Sequence, residues 1–251
     1  MGKSYLSDAY ARCGITISAV IILKFLLTVI FVLSLCGFLV NYDRYVWGET
    51  NRPLLYSLFN MDWEGNVPTL FSAMNLFFSA LLLLYLSKVE QNNGGCWHFH
   101  YLSLGILFLF LSYDEIWSLH EKISGMLSRY LHTQSLLTLG TVLFAMILLP
   151  SLVVFFWRLL LALPRRIALE MILCAVIFLM GAVGMEMVSI GYAQAQGTKA
   201  DLKYQMLAII EETLEMVGVA IFNYTLLKLL LQQKHQILLH LGRVRIHLVD
   251  R

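Results

Sequence analysis

Six long runs of apolar residues divide the chain, and short polar stretches separate them. The runs lie near 15–40, 67–87, 97–118, 135–162, 168–192 and 205–231. Each has roughly the 20 residues that an α-helix needs to cross the hydrocarbon core of a bilayer. Lipid cannot satisfy unpaired backbone groups, so each run is expected to be helical. The pattern therefore predicts an all-α polytopic membrane protein with six transmembrane helices.

The composition agrees with a membrane protein and argues against several other classes. Hydrophobic residues make up 59% of the chain and charged residues only 14%, which is far from the composition of a soluble domain. A formal net charge of +2 gives no reason to expect a nucleic-acid partner. The four cysteines form no CxxC pair, so they predict neither a disulfide framework nor a soft-metal site. Membrane lipids are the expected partners, and the oligomeric state is left open.

The first apolar run is predicted to remain in the protein as a membrane helix. It is too long for a signal peptide, and Leu35, which is not a small residue, precedes Cys36, so lipoprotein processing is not expected. With the N-terminus in the cytoplasm, eleven Lys and Arg residues fall on the inner side and six on the outer side. This excess predicts that both termini are cytoplasmic. We expect the protein in the plasma membrane, as in the inner membrane of a bacterium.

Two regions are expected along the chain: a single transmembrane domain over 1–232 and a basic cytoplasmic tail over 233–251. Helical spacing puts five apolar residues of the tail on one face, namely Ile237, Leu238, Leu241, Val244 and Leu248. Basic residues elsewhere in the tail would bind anionic lipid headgroups. We therefore predict an amphipathic helix that lies on the inner membrane surface.

The acidic residues have the opposite distribution to the basic ones. Of sixteen, only four fall on the predicted inner side. Six lie within predicted helices: Asp114, Glu115, Glu186, Glu211, Glu212 and Glu215. Placing them in lipid would together cost on the order of ten kcal/mol, and no Lys or Arg lies in the outer half of a predicted helix to pair with them. Protonation, a water-filled cavity or a bound cation must compensate.

Helical phase indicates which of these acids face the same way. At about 100° per residue, Asp114 and Glu121 lie on one line, which Glu115 and His120 flank. The acids at 211, 212 and 215 share one face of the last helix.

Three glycines lie close to these acids. Small residues at Gly181, Gly184 and Gly218 would let neighbouring helices approach closely. A compact bundle of the second, third, fifth and sixth predicted helices follows.

An oxygen-rich group with one imidazole suits iron, manganese, calcium or magnesium better than copper(I) or a structural zinc. We predict a divalent metal cofactor, with iron, manganese and zinc as the candidates, and leave the catalytic residues unassigned. The predicted metal ligands are Glu64, Asp114, Glu115, His120, Glu121, Glu186, Glu211, Glu212 and Glu215.

Four motifs resemble those of a family of bacterial multi-pass membrane proteins of unassigned function: EGNxPT from Glu64, DExxxxHE from Asp114, ME at 185–186 in a glycine-bearing helix, and EExxEM from Glu211. The resemblance covers the chain from about Glu64 to Gly218 and implies that the motifs belong together, without naming a reaction. Inward-facing acids from several helices are also similar, in part, to the carboxylate-bridged di-iron bundles. Those bundles carry Glu-x-x-His, which is absent from this sequence.

Several of these residues have a simpler interpretation. Asp62 and Glu64 suit a loop before a helix N-terminus, where negative charge is favourable, and Pro68 suits the first turn of that helix. A lone histidine such as His120 often bonds a backbone carbonyl, and Glu121 fits a solvated helix end.

Three functions stay open at this point. The first, which we favour, is a metal-dependent enzyme, a hydrolase or an oxidoreductase, acting on a lipid or other apolar substrate at an outward-facing site. The second is a cation- or proton-coupled transporter. Transporters usually have their site near the midplane on broken helices, which the sequence does not indicate. The third is a non-catalytic assembly or sensory subunit.

Overall fold

The computed structural model describes residues 14–48, 52–119, 122, 150–232, 239–241 and 244–249. Its elements in chain order are β1 (Gly14–Ser18), α1 (Ala19–Val46), α2 (Pro53–Phe59), α3 (Val67–Asn92), α4 (His98–Trp117), α5 (Pro150–Ala162), α6 (Arg165–Leu179), a π-helix (Met180–Met185), α7 (Glu186–Gln196), α8 (Leu202–Gln232), β2 (Leu239–Leu241) and β3 (Val244–Val249). The segments α6, π-helix and α7 run on without a break as one long helix, Arg165–Gln196.

Within the described ranges, five helices are long and apolar enough to cross a membrane: α1, α3, α4, the helix Arg165–Gln196, and α8. They coincide with five of the six predicted runs, which confirms that these runs form helices long and apolar enough to cross a membrane. The remaining run, 135–162, lies largely outside the described residues. Its described end forms α5, a shorter apolar helix.

Helix α8 lies at the centre of the bundle and packs against α1, α3, α6 and the π-helix. Ala19 at the start of α1 packs in one core cluster with Leu230 near the end of α8, while Ser34 further along α1 is 2.7 Å from Thr213, oxygen to oxygen. The two helices are therefore antiparallel. We call the end of the bundle with Ala19, Asn92 and Gln232 the terminal end, and the end with Val67, Trp117 and Leu202 the acidic end.

Two of the three predicted glycine contacts are present. A Cβ atom on Gly218 would lie 2.8 Å from the backbone nitrogen of Phe178, and one on Gly181 would lie 2.8 Å from the carbonyl oxygen of Glu211. Both positions thus need glycine for α6 and the π-helix to approach α8. The prediction for Gly184 is wrong, because the nearest atom is the Leu179 carbonyl oxygen of its own helix, 3.9 Å away.

The EGNxPT motif forms the turn that leads into α3. Gly65 has a φ of 72°, a left-handed conformation that favours glycine. The side-chain oxygen of Asn66 caps α3 by accepting from the backbone N–H of Thr69 at 3.0 Å, and Pro68 lies in the first turn, as predicted. The asparagine amide also donates to the Asn60 carbonyl at 2.6 Å, which fixes the preceding loop.

A layer of neutral polar side chains joins α3 to α8 in the middle of the bundle. The Asn223 amide, fully buried, donates to Asn75 Oδ1 at 2.8 Å and accepts from Ser79 Oγ at 2.7 Å. Asn75 Nδ2 donates in turn to the Met216 carbonyl at 3.2 Å. These bonds fix the rotation of α8 against α3.

The two chain ends meet in a small sheet of strand order β1-β3-β2. β1 pairs in parallel with β3, with Gly14 opposite Arg245, and β2 pairs antiparallel with β3. The predicted tail helix is therefore wrong over Leu239–Leu241 and Val244–Val249. The physical reason is visible in VRIHL, where apolar and polar residues alternate with the period of a strand.

Candidate cation site

Three acids of α8 lie in partly buried positions near the middle of the helix. Val217 is midway between Leu202 and Gln232, the ends of α8. At 1.5 Å per residue, Glu215 is about 3 Å and Glu211 about 9 Å from that midpoint along the helix axis. The side chains of both, and of Glu212 between them, are half-buried. The helix that spans Arg165–Gln196 brings Glu186 to a similar depth, about 8 Å from its own midpoint.

Glu211 faces α7 and the loop before α8. Its Oε2 accepts a hydrogen bond from Ser189 Oγ at 3.1 Å, and that serine is buried. Glu186, one turn earlier on α7, and Lys199 in the loop both lie within electrostatic range of Glu211. Lys199 is thus a cation beside the acids, supplied by a loop and not by a helix.

Glu212 and Glu215 face the other acids more directly. Glu115 of α4 is within electrostatic range of both, and Glu212 is also within range of Glu64 and Asp62. In the described part of the chain, neither Glu212 nor Glu215 has a hydrogen-bond partner. Like charges in a partly dry site repel one another strongly, and a proton or a cation among them removes that repulsion.

The π-helix brings the backbone of the fifth apolar run against these acids. A Cβ on Gly181 would lie 2.8 Å from Glu215 Cγ as well as from the Glu211 carbonyl. A π-helical segment is rare and is frequently found at functional sites. The close approach places the irregular segment Met180–Met185 directly beside the acid-bearing turns of α8.

The predicted ligands of the outer loop and of α4 have different surroundings. Glu64 is exposed in the turn before α3, while Asp114 and Glu115 are half-buried in the last turn of α4. The phase that aligned Asp114 with Glu121 does not continue, because α4 ends at Trp117 and Ser118 is left-handed, with a φ of 49°. His120 and Glu121 lie outside the described residues.

The structure describes seven of the nine predicted metal ligands. Over the residues that the structure describes, no group of three or more His, Cys, Asp or Glu side chains is placed to hold a metal ion. The ligand roles of the nine residues and the divalent metal stay predictions.

Three polar residues near the acids were not predicted from the sequence: Gln205, Ser189 and Lys199. Gln205 is buried and donates from Nε2 to Asp62 Oδ2 at 3.1 Å. Gln205 could have been found from the sequence, because it precedes Glu212 by seven residues and the two therefore share one face of α8. Ser189 had a similar signal, since it follows Glu186 by three residues. No sequence pattern indicated Lys199, because only the conformation of the loop before α8 brings it near Glu211.

Comparison with known proteins gives a family and no activity. The sequence profile of a family described as a domain of unknown function, DUF8692, matches residues 19–229. The chain belongs to the DUF8692 family. The match begins with α1, ends within α8 and covers most of the chain, in agreement with the expected membership of an unassigned family. Neither the curated proteins nor the solved structures contain a significant match, and the partial similarity to di-iron bundles has no support.

Proposed function

We propose that this DUF8692 protein is a cation transporter in which protons and a metal cation compete for one set of carboxylates. The observation that carries the proposal is the position of Glu212 and Glu215. They are half-buried near the middle of the central helix, within electrostatic range of Glu115 and of each other. Ionisable groups inside membrane helices are typical of ion and proton pathways.

Two features favour transport over catalysis. Transporter sites usually lie near the bilayer midplane beside irregular helix segments, and here the acids lie beside the π-helix Met180–Met185, an irregular segment of an otherwise continuous helix. The acids of α8 also lie near the middle of that helix, with Glu215 about 3 Å from its midpoint along the axis, which is the depth at which transporters usually hold their ions. Competition with protons follows because carboxylates bind metals only when deprotonated.

Polar groups continue from the acids toward the terminal end. Asn75, Ser79 and Asn223 form the next layer, and Lys228 forms an ion pair with Glu170, with Nζ to Oε1 at 2.5 Å, near the end of α8. These polar groups would line a cation route that opens to one side of the membrane or the other when the helices move. With both termini cytoplasmic, as the distribution of Lys and Arg indicates, the acidic end faces outward from the plasma membrane, and lipids surround the bundle.

The test is coupled flux in proteoliposomes made with the full chain. An imposed pH gradient should drive uptake of calcium or manganese, and added metal should drive proton movement in the opposite direction. Glu215→Gln should abolish both fluxes, whereas Glu90→Gln, the same chemical change at the terminal end, should leave them intact. Equal fluxes in the two variants would contradict the proposal.

A metal-dependent enzyme acting on a lipid is the second candidate. It is favoured by the last turn of α4, where Asp114 and Glu115 lie at the acidic end, near the depth of lipid headgroups. His120 and Glu121 would have to complete the ligand set. Stoichiometric iron, manganese or zinc in protein purified without chelators, retained after dialysis, would favour this function over transport. A non-catalytic assembly or sensory subunit would show neither flux nor bound metal.

A further inference from the structure

The buried amide of Gln205 is satisfied on one side only. The side chain is 3% exposed, and its Nε2 donates to Asp62 Oδ2 at 3.1 Å. Its Oε1 is buried and has no hydrogen-bond partner among the described residues. Exchanging the two atoms would place the amide oxygen against the carboxylate, so the bond to Asp62 fixes the orientation. A buried acceptor without a donor is unfavourable, and it points to a group that is bound there.

Gln205 lies between the start of α8 and the acids of that helix, a position that we call the mouth of the acidic site. It lies on α8 one turn from Leu202 and two turns before Glu212, so its side chain is on the same face as Glu212. Its partner Asp62 is within electrostatic range of both Glu211 and Glu212. The amide oxygen and the Asp62 carboxylate therefore both lie close to the acids of α8.

The available atoms define the ligand. Both atoms available to a ligand are oxygens: one belongs to the neutral Gln205 amide and the other to the Asp62 carboxylate. The other side chains nearby are acids, which repel one another. Amide and carboxylate oxygens are the ligands that hard cations prefer, while soft metals prefer sulfur or imidazole.

We infer that Gln205 Oε1 and the Asp62 carboxylate form a binding position for a hard inorganic cation, of the sodium, magnesium or calcium kind, at the mouth of the acidic site. This inference rests on the proposed transport function and names the cation class. The Gln205–Asp62 hydrogen bond holds both oxygens in place, and the cation supplies the positive partner that the amide oxygen lacks.

The experiment measures cation affinity in the purified full chain. Sodium, magnesium and calcium chlorides are titrated in turn into protein purified in mild detergent, with binding followed by calorimetry. Gln205→Leu, which keeps a similar volume and removes the amide, should weaken binding of the preferred cation at least tenfold. Gln91→Leu, the same change on an exposed residue of α3 at the terminal end, should leave the affinity unchanged.

A second variant guards against misfolding of the first. Gln205→Glu provides an additional carboxylate oxygen and should tighten binding of magnesium or calcium while leaving sodium less affected. Unchanged affinity in Gln205→Leu, or unchanged or weaker divalent binding in Gln205→Glu, would overturn the inference.

Flux separates this inference from the proposed function. If the Gln205 variants transport with wild-type affinity while Glu215→Gln does not transport, the mouth position is refuted and the transport function stands. If the wild-type chain neither binds nor transports any cation, both the mouth position and the transport function are refuted. If Gln205→Leu raises the concentration needed for half-maximal uptake and keeps its maximal rate, both are supported.

Discussion

Two polar layers of the bundle lie within a few turns of each other and differ in how their groups are satisfied. Asn75, Ser79 and Asn223 are neutral, buried and hydrogen-bonded to one another. Glu212 and Glu215 are acidic and half-buried, and have other acids within electrostatic range. A satisfied neutral layer fixes the packing of helices, whereas a layer of mutually repelling acids is stabilised when it binds a proton or a cation. The first is a structural feature and the second a candidate for function.

The largest stability effects are expected where α8 touches the irregular helix. Gly181→Ala and Gly218→Ala should each lower the free energy of unfolding by about 1–3 kcal/mol, because the new methyl group would overlap backbone atoms of a neighbouring helix. Gly184→Ala is the matched control and should change it by less than about 0.5 kcal/mol. Thermal unfolding in detergent measures all three, and an equal loss in the control would contradict the packing of the π-helix on α8.

The neutral layer should respond as a structural element. Asn223→Leu removes the bonds to Asn75 and Ser79 and leaves their polar groups buried, so the free energy of unfolding should fall by about 1–2 kcal/mol. The same variant should keep its cation affinity. A lost affinity with unchanged stability would mean that this layer belongs to the binding site.

Removing a charge from the acidic layer should raise the free energy of unfolding, in contrast to the loss expected in the neutral layer. Without added cation, and at an alkaline pH at which the carboxylates are deprotonated, Glu215→Gln removes a charge that other acids repel and should raise the free energy of unfolding by up to about 1 kcal/mol. The thermal midpoint of this variant, compared with that of Glu90→Gln in a chelator-treated sample, measures the effect. A clear destabilisation would indicate that the carboxylate is already satisfied by a partner inside the protein.

The smallest effect is expected at the contact of α1 with α8. Thr213→Val keeps the shape of the side chain and removes the hydroxyl that lies 2.7 Å from Ser34 Oγ. Single interhelical hydrogen bonds in membranes contribute about 0.6 kcal/mol on average, so the shift should be close to the limit of thermal unfolding in detergent. A change of several times that size would mean that Thr213 also supports the neighbouring acid Glu212.

The membrane helices could be predicted from the sequence because their signal is local. The run 67–87 became Val67–Asn92 and the run 205–231 became Leu202–Gln232, since the length of an apolar run reflects the thickness of the bilayer. The close approaches at Gly181 and Gly218 were also predictable, since a missing side chain next to a polar face has few other uses in a helix. The same argument failed at Gly184, because this glycine lies inside the π-helix, where the rotation per residue differs from that of an α-helix.

Features that depend on the backbone between helices could not be predicted. Ser118 takes a left-handed conformation that ends α4 and breaks the phase used for Asp114 and Glu121. The loop before α3 brings Asp62 to Gln205, and the loop before α8 brings Lys199 to Glu211. None of these contacts follows from spacing, since the residues involved are distant in sequence or lie outside regular structure. The strand in the tail has a local signal, because apolar and polar residues alternate in VRIHL.

Competition between protons and a metal cation for the acids of α8 tests the central claim most directly. Binding of calcium or manganese to the purified full chain would be measured by calorimetry at two pH values, for the wild type and for the double variant Glu212→Gln/Glu215→Gln. The account predicts that the wild type binds, that its affinity falls at the lower pH because protons occupy the same carboxylates, and that the double variant does not bind. Equal binding by the two proteins, or a wild-type affinity that does not change with pH, would contradict it.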